Sequence, residues 1–139
     1  MKDWPFALVL VGSVSMPASV ADRCRALAAD RALAGLHAHP EQLPLDQHEL
    51  IALVAPRAIA VHSATEDQWA DPKGEYLSAY HAGPAFELFG KEPLRSEDPP
   101  EPEHAVGTDV SYYCRIGKHD LLLSDWEHYM SIADRVFGK

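Results

Sequence analysis

Apolar residues along this chain fall into two kinds of run. Ala58-Ile59-Ala60-Val61 is continuous, with no polar alternation, the pattern of a strand covered on both faces, as in a parallel sheet. It predicts a strand over residues 57–63. A second strand is expected over 110–116, which includes Tyr112, Tyr113 and Cys114. Helical spacing governs the rest. Val20, Cys24, Leu27, Ala28, Leu33 and Leu36 predict a helix over 20–36, stopped by Gly35 and His37-Ala38-His39-Pro40. Residues 47–53 predict a short helix with Asp46 as N-cap and Pro56 beyond its end. Further helices are expected over 73–80, 85–89 and 124–137. In the last, Ser124 and Glu127 read as a capping box, and Trp126, Tyr129, Met130, Ala133 and Phe137 as the apolar face. Residues 90–108 carry Pro93, Pro99, Pro100 and Pro102 and read as a long loop, a device often used as a lid or a site rim. The order helix, strand, helix, loop, strand, helix is that of the end of a parallel α/β sheet. A third strand is available only if the apolar run at 6–14 supplies it.

Length and charge narrow the function classes. The chain has 139 residues, 47% of them apolar, enough for one domain with a core. Its formal charge of −9, from 21 acidic and 12 basic residues, disfavours nucleic-acid binding. Glu97, Asp98, Glu101 and Glu103 cluster in the Pro-rich stretch and read as a solvated loop. Cys24 and Cys114 have no metal-ligand spacing and make no disulfide framework, so buried free thiols are expected. The apolar run at 6–14 follows Lys2 and precedes Ser19-Val20-Ala21, a weak match to an export signal, which would place the chain outside the cytoplasm. The run is too short to span a bilayer, so no membrane role is expected. His37 and His39 form an HxH pair without a third ligand at spacing, and no metal is expected.

Candidate chemistry lies after the two strands. The first is followed by Thr65-Glu66-Asp67-Gln68-Trp69-Ala70-Asp71, the second by Gly117-Lys118-His119-Asp120. An acid after one strand and a histidine after the next is the chain order of a hydrolase triad, at the strand ends where such folds place their sites. A hydroxyl nucleophile needs a base titrating near neutrality, and the base needs a carboxylate to fix its tautomer. Asp67 and His119 are the candidates, although Glu66 and Asp71 compete with Asp67 on spacing alone.

The stretch Leu43-Pro44-Leu45-Asp46-Gln47-His48-Glu49-Leu50-Ile51-Ala52-Leu53-Val54-Ala55-Pro56-Arg57 resembles the glucuronoyl esterases. So do Thr65 to Pro72, Gly74-Glu75, Leu88-Phe89-Gly90, Gly117 to Asp120 and Asp125-Trp126. The resemblance covers residues 43–136. It implies the C-terminal part of an α/β-hydrolase fold, an incomplete and mainly parallel sheet with flanking helices. It also implies esters of glucuronic acid in lignin–xylan as substrates, a serine triad, and no cofactor or metal. Asp67 and His119 match the triad acid and base, and Trp69 matches a tryptophan lining the sugar pocket. A tryptophan that merely packs in the core remains the alternative for Trp69.

Residues 1–42 read as a divergent segment preceding a hydrolase portion at 43–139. The family's Gly-x-Ser-Arg-x-Gly-Lys nucleophile elbow is absent from the sequence. The nearest run, Gly12-Ser13-Val14-Ser15-Met16-Pro17, lacks its second glycine and its Arg and Lys. Ser13 and Ser15 are therefore read as non-catalytic. The expectation is an esterase-like chain, inactive alone, prone to self-association through an exposed sheet edge. The alternative is a non-catalytic carbohydrate-binding or interaction module.

Overall fold

The computed structural model describes residues 46–138. Helix α1 (Gln47–Ala52) leads into strand β1 (Ile59–Ala64), followed by α2 (Pro72–His81) and α3 (Gly83–Glu87). The two-residue strand β2 (Val106–Gly107), strand β3 (Val110–Arg115) and helix α4 (Leu123–Phe137) complete the order. The sheet runs β1-β3-β2. β1 and β3 are parallel, with Ile59 opposite Val110 and Ala64 opposite Arg115. β2 is antiparallel to β3. This is a partial α/β fold, a small mixed sheet with helices flanking it.

Every residue of β1 and β3 is buried, but the two faces differ in kind. Successive side chains on a strand point to opposite faces. Ile59, Val61, Val110, Tyr112 and Cys114 therefore pack into one cluster with Ile51, Tyr76, Ala79, Ala82, Phe86 and Leu94. The opposite face lies under α4. There Ala60 packs with Tyr129 and Ile132, His62 stacks on Tyr129 at 3.9 Å, and Tyr113 stacks on His128 at 3.9 Å. Arg115 pairs with Asp125, its Nε 3.1 Å from Oδ2, both side chains almost fully buried.

The two strands lie where the apolar runs predict them, β1 starting two residues later and ending one later, and β3 ending one residue earlier. Helix α2 starts at Pro72, whose missing N–H and fixed φ suit a first helical position. Helix α3 begins at Gly83 rather than Ala85. β2 interrupts the segment expected to be all loop.

Two expectations for α4 are corrected. The helix starts at Leu123, and the Asp125 carboxylate, not Glu127, reaches back to accept the Leu122 N–H at 2.8 Å. Its inward side is Asp125, Tyr129 and Ile132, with Val136 partly buried. Trp126, Met130 and Phe137 stand exposed. The four acids of the Pro-rich stretch are exposed, as expected, and one of them, Glu103, accepts from the Tyr113 hydroxyl at 2.6 Å and from the Ile116 N–H. Cys114 is a buried free thiol. The expected helix at 20–36, the apolar run at 6–14, Cys24, Ser13, Ser15 and the His37/His39 pair lie outside the described residues.

Candidate active site

The parallel register carries both strands to the same level, and the turns beyond them are sewn together. Thr65 N–H donates to Arg115 O at 3.0 Å and Glu66 N–H to Gly117 O at 2.8 Å. Gly117 N–H returns a bond to Thr65 Oγ1 at 3.2 Å. Gly117 sits at φ +129, a backbone region that side chains strain to enter, which is why glycine opens this turn.

These ties place two residues 52 positions apart side by side. Asp67 N–H donates to Ala64 O at 3.0 Å, folding the first turn back on its strand. The Asp67 carboxylate is buried, and its Oδ2 lies 2.6 Å from Nδ1 of His119. A carboxylate only accepts, so Nδ1 carries the hydrogen and the Nε2 lone pair is left free for a proton. The imidazole is 45% exposed while its partner is 7% exposed. The carboxylate is thus shielded and the imidazole accessible, an arrangement that general-base chemistry would require. Of the three acids left open by spacing, Asp67 is the one bonded to His119. Glu66 and Asp71 are exposed.

Trp69 stands at 95% exposure on the same turn, which removes the reading of it as a core tryptophan. Beneath the pair lies a residue that spacing did not single out. Glu75 on α2 is 8% exposed and accepts from Ser63 Oγ at 2.5 Å. Burial pushes its carboxyl up to about 7, and the nearby Asp67 and Asp71 push the same way against the Ser63 hydrogen bond. Arg115, which with Asp125 holds the second turn from below, was also not singled out, and Asp125 entered only through the Asp125-Trp126 match to the family. Glu75 and Asp125 stand in stretches that carry the family resemblance, but burial and long-range contact are what show the part each plays here. The Pro-rich segment does rim a cavity of about 660 Å³, lined in part by Tyr76, Leu94, Pro99 and Val106, but neither Asp67 nor His119 lines it.

Against known proteins, the fungal glucuronyl esterase family model matches residues 24–90. A carbohydrate esterase (MZ0003) from an unknown prokaryotic organism is 46% identical over 94 residues, which are 68% of this chain and 22% of that protein. Over these residues the chain matches the glucuronoyl esterase family. The solved structures agree. A glucuronoyl esterase from Solibacter usitatus has a TM-score of 0.79 at 34% identity, covering 96% of this chain and 37% of its own. A promiscuous CE15 esterase from a marine bacterial metagenome has a TM-score of 0.70 at 42% identity, covering 73% of this chain and 26% of its own. The α/β-hydrolase class is therefore shared, and the chain spans less than two-fifths of the length of each of these relatives. The family match begins upstream of Leu43, so the resemblance reaches farther toward the N-terminus than the motifs indicated.

Proposed function

We propose that this chain carries the acid–base half of a serine-type carbohydrate esterase site. In this reading Asp67 orients the His119 imidazole and stabilises its cation. Nε2 of His119 takes the proton from an attacking hydroxyl and later returns it to the leaving alcohol. The Asp67–His119 hydrogen bond of 2.6 Å carries the proposal. The family match supports glucuronate esters of carbohydrate as the substrate class, with Trp69 offering an apolar platform for a sugar ring beside the pair. No metal or cofactor enters this chemistry.

The nucleophile is not part of what this sequence supplies, since it contains no Gly-x-Ser-Arg-x-Gly-Lys elbow. Removing a triad nucleophile lowers turnover by several orders of magnitude. The chain by itself is therefore expected to leave benzyl glucuronate unhydrolysed. Hydrolysis by the purified chain that disappears in His119→Ala would show that a serine elsewhere completes the triad and would overturn the claim of inactivity.

A second reading, a carbohydrate-binding module derived from the esterase, is favoured by the exposure of Trp69. Titration with a glucuronoxylan oligosaccharide separates the two. Binding lost in Trp69→Ala but kept in His119→Ala favours the module, and no binding removes it. Self-association belongs to the same proposal, now with Leu123, Trp126 and Met130 standing 44–74% exposed along α4. A monodisperse monomer in sedimentation velocity would exclude it.

A further inference from the structure

We infer that Arg115 is the positioning residue of His119, and that it works by clamping the backbone on both sides of the histidine. The inference rests on the reading of Asp67 and His119 as an acid–base pair and names what holds the base in place. Arg115 ends β3 and is 4% exposed. One terminal nitrogen donates to Lys118 O at 2.5 Å and to Asp120 O at 2.8 Å, the carbonyls immediately before and after His119. Its Nε donates to Asp125 Oδ2 at 3.1 Å. The same Asp125 oxygen accepts the Leu122 N–H that opens α4.

The consequence is geometric. Residues 116–120 form an exposed turn with little apolar anchoring: Ile116 is 65% exposed, and Lys118, His119 and Asp120 are all exposed. Such a turn is mobile unless its backbone is tied down. One tie comes from the neighbouring turn through Gly117. The other comes from within, through a guanidinium whose planar fork can satisfy a carboxylate and two carbonyls at once. A lysine at this position keeps a charge for Asp125 but lacks the fork. Holding a reacting group to within about 1 Å is worth on the order of 10²-fold in rate, so a residue that never meets substrate can still govern the base.

The test does not depend on ester turnover. In the full-length chain labelled with ¹⁵N-histidine, the Nδ1–H of His119 bonded to Asp67 gives a downfield proton resonance shielded from exchange. His119→Ala assigns it, and Asp67→Asn removes the hydrogen bond. Arg115→Lys is expected to lose this resonance while keeping a cooperative melt. Asp125→Asn retains the two carbonyl bonds and is expected to keep it. An undiminished resonance in Arg115→Lys overturns the clamp, and so does its loss in a folded Asp125→Asn. If Arg115→Lys does not fold, the Asp125→Asn result decides alone. A parent chain with no such resonance defeats the acid–base pair itself, an outcome distinct from failure of the clamp.

Discussion

The two faces of the sheet are built from the same two strands and solve different problems. Toward α2 and α3 the side chains are Ile59, Val61, Val110 and Tyr112 against Tyr76 and Phe86, a layer held by removal of apolar area from water. Toward α4 they are His62, Tyr113 and Arg115 against Asp125, His128 and Tyr129. This second layer buries groups that resist burial. Desolvation holds His62 down at about 4, and neither of its ring nitrogens has a hydrogen-bond partner among the described residues. A buried ion pair is weak evidence of net stability. What the polar face adds is position: through Arg115 it fixes the turn that carries His119. The apolar face makes the fold stable and the polar face aims it.

That contrast predicts its own failures. Asp125→Ala strands a buried guanidinium, and urea denaturation is expected to show a loss of about 3–5 kcal/mol. The double replacement Arg115→Met with Asp125→Leu removes both charges, and its freed carbonyls lie on exposed residues open to water. It is expected to recover most of that loss while releasing His119. If the double variant is as unstable as the single, the polar layer stabilises as well as aims.

Next in size is a pH effect. The folded-state value of about 4 for His62 lies below the ordinary value of 6.5, so the unfolded chain binds the proton first. Its contribution is full above pH 6.5 and is lost as pH falls toward 4, on the order of 3 kcal/mol. Glu75 runs the other way. Its folded value of about 7 lies above 4.5, so its contribution is full below pH 4.5 and is lost as pH rises through 7. Between about pH 4.5 and 6.5 the two slopes oppose each other. Glu75→Gln should therefore unmask His62, giving stability that climbs from pH 4 to 6.5 and no decline between 6.5 and 7.5. Denaturant midpoints across that range check this, and an unchanged profile refutes it. Smallest is Ile59→Val on the apolar face, expected to cost about 1 kcal/mol and to leave the His119 proton resonance untouched.

Much of this arrangement was legible beforehand. The continuous run Ala58 to Val61 marked a strand buried on both faces. Acid-then-histidine on successive strand ends marked the pair that the fold brings into contact. Spacing could not choose among Glu66, Asp67 and Asp71, because the choice is made by a turn that folds Asp67 back onto Ala64. The α4 face was misread for a related reason. Pattern reading assigns the inward side to the most apolar residues, yet the layer α4 covers is aromatic and charged, so Asp125 turns in and Trp126 turns out. Ser124 and Glu127 satisfy the local capping pattern, but Asp125 takes the cap because Arg115 already holds it at the helix start. Glu75 entered only through the Gly74-Glu75 match, and its place beneath the pair was not legible because what surrounds it sets that place.

The pairing of the two turns also sets a rule of length. Asp67 follows β1 by three residues and His119 follows β3 by four, and the register ties Ala64 to Arg115. Adding or removing one residue in either short run would swing its side chain out of reach of the other. The chain between Arg95 and Glu101 carries no such count, being exposed save for Pro100, which is only partly buried, and loops of that kind absorb insertions readily. Among relatives, then, change in length should collect in that stretch and stop short of the two turns, so that the spacing itself, more than any single side chain there, is what selection has to keep.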